Sequence, residues 1–328
     1  MSRTEEAPGA DQKANDRMSR TDADRASWVL ANTDPELEAF AAEVGSDGPI
    51  VVEGARTRWP AHWQPPADAR VVRAPVGIVE HKPEEMLVTV RAGTRVDDLV
   101  AMLAGVGQRV PLAPGGTVGG AVAVGQNCLQ RLGRGSVRDA VMQVRYVSAE
   151  GRLVAGGGPV VKNVSGFNLP KLLTGSHGTL GVICEVILRT NPVPARTELV
   201  SVQGADPFVV FGSLYRPSMV LWDGSTTWVE LEGHPDDVEH QLGLLASMGD
   251  VTTGVEVPEL PAHRWSMRPS AVGSLTGGSA FVASIGVGTV WTASPPPSRP
   301  ADPAVAEVSR RIKEQFDPTG RLNPGLVL

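Results

Sequence analysis

The stretch Ala113–Gly125, "APGGTVGGAVAVG", places five glycines in thirteen residues with no charged side chain among them. Crowded glycines let backbone amides approach a phosphate, or let two backbones pack closely. Neither standard phosphate-loop spacing fits. The dinucleotide fingerprint needs G-x-G-x-x-G between a strand and a helix. Gly-x-Gly occurs at 105/107, 133/135, 156/158 and 286/288, and none has a glycine at the third required position. The P-loop needs G-x-x-x-x-G-K-[ST]; Gly120 and Gly125 have that spacing, but Gln126 stands where the lysine must be. Read alone, the stretch is either a different kind of cofactor loop or a tight turn followed by a packing contact.

Upstream of it, "TDPELEAFAAEVG" (33–45) predicts a helix capped by Thr33 or Asp34, with Pro35 in its first turn and Gly45 at its end. "GPIVVEG" (48–54) predicts a short buried strand running into a glycine. A strand at 86–91 leads to a helix capped by Thr94, with Asp97 and Asp98 in its first turn and Gly105 closing it. Residues 141–147 alternate, turn at Ala149–Gly151 and return, which is a hairpin. "LPKLLTGSHGTLGVICEVILRT" (169–190) gives a short helix, a glycine-rich corner and a strong strand at 181–189. Strands and helices are mixed rather than strictly alternating, so the fold class is α+β rather than a doubly wound parallel sheet.

The 328-residue chain is 41% hydrophobic and 20% charged, long enough for two domains. Residues 1–26 are polar and read as a disordered leader; "MSRT" occurs at Met1 and again at Met18, either as a second start or by chance. A folded region at 27–195 ends at "NPVPART", a weaker α+β segment runs over 196–300, and residues 301–328 form a terminal helix and tail behind the stiff linker "SPPPSRPADP". The net charge of −6 leaves no basic footprint for nucleic acid. No run approaches the roughly 18 apolar residues of a membrane helix. Cys128 and Cys184 lie far apart without a CxxC pattern, which fits a reducing cytoplasm. The histidines at 62, 81, 177, 234, 240 and 263 show no HxH or HExxH spacing, so no metal site is expected.

Four segments taken together decide between the readings of the glycine stretch. They are "VVEGARTRW" (51–59), "PGGTVGGAVAVG" (114–125), "KNVSGFNLPKLLTGSHGTLGVI" (162–183) and "FDPTGRLNPG" (316–325), in that order. With "GIVEHKPEEMLVTVRAGTRVDDL" and "GSVRDAVMQVRYVSAEGRLVAGG", they make the chain resemble the vanillyl-alcohol-oxidase/PCMH family of FAD-binding oxidoreductases. Within that family the likeness is to the glycolate-oxidase FAD-binding subunits. It covers about 33–195 and the C-terminal helix and tail well, and the region between only loosely.

The resemblance implies a PCMH-type FAD-binding domain of two α+β subdomains, a smaller α+β cap domain, and a C-terminal segment returning to the flavin. It implies FAD lying extended between the subdomains, its pyrophosphate held by backbone amides rather than by a lysine. Gly54, Ala55, Arg56, Thr57 and Arg58 match the first cofactor loop, although the family usually has a small residue where Arg56 stands. Thr117, Val118, Gly119 and Gly120 match the T-x-G-G element near the flavin end, and Pro114 stiffens its entry. Ser136 and Asp139 match a cofactor-lining segment, or else cap a turn. Asn163 and Gly166 match the next loop; Gly175, Gly178, Gly181 and Val182 match a corner at the adenosine end. Asn323 matches the returning tail, or else forms an Asx turn before Pro324. Covalent attachment uses a histidine or cysteine; Cys128 reads as an ordinary small residue, so the FAD is expected to be non-covalent.

No catalytic constellation is visible. A hydroxy-acid dehydrogenase must hold a carboxylate, usually with arginine, and take a hydroxyl proton. The strand where catalytic relatives carry a histidine-rich metal motif, "FVASIGVGTVWTA", has neither histidine nor acid, and His263, Arg264 and Arg268 beside Trp265 read as packing. Three functions stay open. The first is a FAD-bearing subunit beside a catalytic flavoprotein subunit and an iron–sulfur subunit of a glycolate-oxidase-like complex, in the cytoplasm or peripheral to its membrane. The second is a self-sufficient oxidoreductase of an alcohol or hydroxy acid, and the third a scaffold that has lost flavin.

Overall fold

The structure is a computed structural model and describes residues 34–60, 63–158, 168–275, 280–296 and 302–326. The expected leader and the candidates Asn163 and Gly166 lie outside the described residues.

Helix α1 (Pro35–Val44) begins where the Asp34 carboxylate accepts from the amides of Glu36 and Leu37, and it ends at Gly45 with φ 57°. Leu37, Phe40, Ala41 and Val44 repeat at helical spacing, and that stripe is buried. It covers a small parallel pair, β1 (Ile50–Val52) and β2 (Arg70–Val72). Leu322 of the tail bridges to Ile50 and joins the same core.

Beside this lies a five-stranded antiparallel sheet in the order β3 (Ile78–Lys82), β4 (Leu87–Arg91), β8 (Val182–Arg189), β6 (Val141–Val147), β7 (Leu153–Gly157). Helix α2 (Val96–Ala104), the short strand β5 (Gln108–Arg109), helix α3 (Val118–Val124) and two single-turn helices, α4 (Arg131–Arg134) and α5 (Val137–Ala140), follow β4. Strands β6 (Val141–Val147) and β7 (Leu153–Gly157) form the expected hairpin, and α6 (Leu169–Leu173) precedes β8 (Val182–Arg189). β8 sits between β4 and β6, and its apolar residues on either side of Glu185 reflect burial on both faces. One face packs on α2, α3, α5 and α6; the other, through Val182 and Cys184, packs on α1 and β1. The expected cap of α2 is not Thr94. Arg95 occupies the cap position without a side-chain bond, because the Thr94 hydroxyl is taken by Gly77, accepting from its amide at 2.9 Å and donating to its carbonyl at 3.0 Å.

Strand β9 (Asn191–Pro192) pairs with β5, after which a seven-stranded antiparallel sheet begins. It contains β10 (Arg196–Gln203), β11 (Met219–Trp222), β12 (Thr226–Gly233), β13 (Asp250–Thr253), β14 (His263–Ser266), β15 (Phe281–Ser284) and β16 (Thr289–Thr292). Helices α7 (Pro207–Ser213) and α8 (Pro235–Met248) cover one face. The opposite face receives Leu129 from the first sheet's connections. Arg109 donates to both carboxylate oxygens of Glu232 at 2.6 and 2.7 Å, and Arg134 to one of them at 3.2 Å, which ties the two parts together. Helix α9 (Pro303–Phe316), capped by Asp302, returns Ile312 and Phe316 to the first core.

Candidate cofactor site

The glycine stretch resolves into several different devices. Gly115 and Gly116 adopt φ 74° and 68° and make the turn before α3. Gly119 is a packing glycine: a Cβ there would stand 2.7 Å from Ala92 Cβ and 3.0 Å from its carbonyl oxygen. Gly125 ends α3 at φ 66°, with Gly175 Cα 3.3 Å from where its Cβ would be. Gly120 has only Thr117 Oγ1 near its missing Cβ, at 3.1 Å, and it lines a cleft.

That cleft, open to solvent, spans about 790 Å³ of empty space. Its walls come from the loop after β1, the start of α3, the corner before β8, and the tail. Among the expected residues it gathers Gly54, Ala55, Arg56, Thr57, Arg58, Thr117, Gly119, Gly120, Gly178, Gly181 and Asn323. Pro114, Val118, Ser136, Asp139, Gly175 and Val182 do not line it. Val118 and Val182 are fully buried core residues. The Ser136 hydroxyl accepts from the Asp139 amide at 3.1 Å, and Asp139 pairs with Lys171 at 3.1 Å, so this pair caps α5. Cys128 lines a different cleft.

The donors on offer differ between loops. The amides of Val118 and Gly119 are spent on the carbonyls of Thr94 and Ala92, both at 2.8 Å, and that of Gly120 reaches Thr117 Oγ1 at 3.2 Å. α3 therefore leaves these three amides no role toward a ligand. In contrast, among the described residues no acceptor is paired with the amides of Gly54 to Arg58. The loop is exposed from Gly54 to Thr57, and Arg56 takes φ 55°, a backbone setting that favours glycine. Thus the position keeps the glycine-like geometry although arginine fills it. Arg56 pairs with Glu53 and lies 5.2 Å over the Trp59 ring. Burial alone would raise the Glu53 carboxyl, but hydrogen bonds from Arg56 and Arg73 outweigh it and hold it below the usual carboxylate range.

Arg58 binds the two loops together. It donates to Gln126 Oε1 at 3.0 Å and to the carbonyls of Ala113 and Pro114 at 2.8 and 3.1 Å. Among the described residues no carboxylate forms an ion pair with it. Burial pushes its guanidinium below the ordinary value, and Asp97 offsets part of that. Gln126, placed where a P-loop has lysine, is thus an acceptor for an arginine.

The far wall is held by Asn323. Its Nδ2 donates to the His177 carbonyl at 2.7 Å and its Oδ1 accepts from the Val52 amide at 2.8 Å. Asn323 therefore positions the corner and the tail rather than presenting a free amide. His177, at φ 53°, lines the cleft, and burial pushes its imidazole below the ordinary value, favouring the neutral form. Sequence reasoning missed His177, Glu53 and Trp59 although all three lie inside the motifs used. Ala92, Gly93 and Leu326 carry no motif and reach the cleft only through the tertiary fold. Among the described residues no group of three metal-ligating side chains occurs, and no helix is long and apolar enough to cross a membrane.

These residues fit FAD: among the described residues, amides without an acceptor, the Arg58 guanidinium without a carboxylate partner and bare Gly120 line one cleft. A family model described as an FAD binding domain matches residues 29–157. Glycolate oxidase subunit GlcE of Escherichia coli (strain K12) is 32% identical over 224 residues, which cover 64% of this chain and 63% of that protein. Glycolate oxidase subunit GlcD of Bacillus subtilis (strain 168) is 32% identical over 121 residues, 36% of this chain and 26% of that one. A D-lactate dehydrogenase of Archaeoglobus fulgidus is 40% identical over 82 residues, 25% and 18% of the two chains. The chain thus spans less than two-thirds of the length of each of these relatives. Among solved structures, an alkyldihydroxyacetonephosphate synthase superimposes with a TM-score of 0.65 at 15% identity, covering 89% of this chain and 74% of that one. That is a likeness of fold alone. The match on residues 29–157 gives the chain an FAD binding domain.

Proposed function

We propose that this protein is the FAD-bearing subunit of a glycolate-oxidase-like 2-hydroxy-acid dehydrogenase complex, working beside a catalytic flavoprotein subunit and an iron–sulfur subunit. Residues 27–195 and the returning tail hold the cofactor, and residues 196–300 form the cap. One observation carries the reading. The loop Gly54–Arg58, whose amides have no acceptor among the described residues, lines a cleft where Arg58 has no carboxylate partner among them.

Bound FAD supplies a carrier that takes up electrons in pairs and releases them singly or in pairs. The chain's residues provide the setting. The amides of Gly54 to Arg58 and the Arg58 guanidinium meet a diphosphate's charge without a metal or lysine. Trp59 and Leu326 shield that end from water, and Gly120 leaves room where a side chain would intrude. His177, held neutral, offers a hydrogen-bonding ring without adding charge.

The test has two parts. Purified protein should carry or take up one equivalent of FAD with a flavin absorption spectrum; a folded chain that binds none returns the fold to a scaffold role. Co-expression with candidate partner subunits should then yield an iron–sulfur-containing complex. Reduction of the flavin by glycolate or lactate in the isolated chain would instead establish self-sufficient turnover.

A further inference from the structure

His177 enters the cofactor cleft from the corner before β8, and both of its backbone groups are already engaged. Its amide donates to the Ala123 carbonyl of α3 at 2.8 Å, and its carbonyl accepts from Asn323 Nδ2 at 2.7 Å. The imidazole is therefore the one polar group that His177 has left for a ligand. Among the described residues that ring makes no hydrogen bond and no ion pair. Asn323 also accepts from the Val52 amide at 2.8 Å, two residues before Gly54. One side chain thus ties His177 to the strand that feeds the loop Gly54–Arg58. The ring shares its cleft with the amides of that loop, which have no acceptor among the described residues.

Among the described residues nothing else that lines the cleft changes charge between about pH 5 and pH 8. The loop contributes Glu53, Arg56 and Arg58. Burial acts to raise the Glu53 carboxyl, but the hydrogen bonds from Arg56 and Arg73 outweigh it, so Glu53 is ionised throughout this range. Guanidinium groups keep their charge. Helix α3 and the corner Thr174–Gly181 bring no other titratable side chain. Behind the corner, Lys313 donates to the Thr179 and Leu322 carbonyls and pairs with Asp317, and Arg321 is spent on backbone carbonyls. None of these charges bears on the ring, because burial alone pushes its imidazole below the ordinary value. Burial opposes a proton on the ring, and a bound anion acts in the opposite direction.

We infer that the His177 imidazole is a binding group for the cofactor's diphosphate and takes up a proton as the diphosphate binds, so that dinucleotide affinity rises as the pH falls from about 8 to about 5. The identity of the ligand rests on the FAD-bearing reading. The proton comes from solvent and adds to a ring nitrogen, and no bond of the ligand changes. At the alkaline end the ring is neutral with or without the ligand, so affinity is flat there. As the pH falls, the complex holds a proton that the free protein lacks, and affinity climbs. Each unit by which the anion lifts the ring's value corresponds to about a tenfold gain in affinity.

Titration of the full chain, freed of flavin, with FAD, ADP and riboflavin between about pH 5.5 and pH 8 tests this. The readout is isothermal calorimetry in two buffers of different ionisation enthalpy. FAD and ADP should bind about tenfold more tightly at the acid end, with a buffer-dependent heat that reports proton uptake. Riboflavin, which has no phosphate, should show neither effect. His177→Asn places a residue that tolerates the left-handed backbone at φ 53°, and it should lose both the pH dependence and the proton uptake. His62→Asn, at the histidine nearest in sequence to the loop Gly54–Arg58, should keep both. If circular dichroism shows His177→Asn to be unfolded, the contrast between ADP and riboflavin on the wild type still decides. An affinity flat with pH, an unchanged pH dependence in folded His177→Asn, or an equal one for riboflavin overturns the inference. FAD binding that ignores pH sinks this inference alone; absence of FAD binding at every pH sinks the functional proposal with it.

Discussion

Arg58 Nη2 donates to the carbonyl oxygen of Ala113 at 2.8 Å, which fastens the cofactor loop to the first residue of the glycine stretch. The two segments are more than fifty residues apart in sequence, and a single half-buried side chain sets the width of the cleft between them. The same guanidinium faces that cleft, so it both shapes the site and supplies charge.

Replacing Arg58 with methionine keeps the apolar stem and removes both functions. A hydrogen bond to a charged group contributes about 1.5–3 kcal/mol, and partial exposure places this one at the lower end. FAD affinity should fall about tenfold or more, read by quenching of flavin fluorescence on titration. The melting temperature should change by only a few degrees, because the core does not depend on Arg58.

Gly119 and Gly120 should part company. A Cβ at Gly119 meets the Ala92 backbone and methyl, so Gly119→Ala should cost about 1–3 kcal/mol of stability as an overpacked contact. A Cβ at Gly120 meets only Thr117 Oγ1 and then the cleft. Gly120→Ala should fold normally, helped by a helix propensity up to about 1 kcal/mol better than glycine's, yet bind FAD more weakly. Thermal melts beside flavin titrations separate the two. If both variants lose stability alike, the division of roles between neighbouring glycines is wrong.

This contrast marks what was legible in the sequence. Spacing and caps located α1, the β6–β7 hairpin and β8, because Asp34, Gly45 and the largely apolar stretch 182–188 act locally. Motif order brought together the loop 54–58, Thr117, Gly178 and Asn323, which the fold places around one cleft. The task of each glycine was not legible, since whether a missing Cβ faces Ala92 or open space is decided by a partner strand far away in sequence. For the same reason Thr94 read as a cap until Gly77, on another segment, took its hydroxyl. The seven-stranded sheet was the least visible part, because its meaning lies in register rather than in any short motif.

Arg321 has no motif either, yet it holds the tail. Its guanidinium donates to the carbonyls of Gly48, Gly45, Ala149, Val44 and Asp47 at 2.8–3.1 Å, and the residue is 4% exposed. Arg321→Met should strand five acceptors and cost at least about 3 kcal/mol. Urea denaturation should show a lower midpoint with an unchanged slope. Lysine should not rescue it, because three donors on one nitrogen cannot span five separated oxygens.

Acid should reach the cofactor cleft through Glu53. Its ordinary value is 4.5; burial acts to raise it, and the hydrogen bonds from Arg56 and Arg73 bring the folded value below that. A lowered folded value means the unfolded chain binds more protons in this window. The Glu53 contribution to stability is therefore complete above 4.5 and lost as the pH falls through the lower folded value. Asp34, lowered by Arg91 and the Leu37 amide against its own burial, acts with the same sign below 3.8. Glu185, raised by burial, acts with the opposite sign and is unaffected by changes at Glu53. Glu53→Gln should therefore flatten the decline of stability below pH 4.5 and lower stability at pH 7, measured by urea midpoints across the range. A variant that kept the wild-type pH slope would show that the Arg56–Glu53–Arg73 cluster does not set the acid limit of the loop.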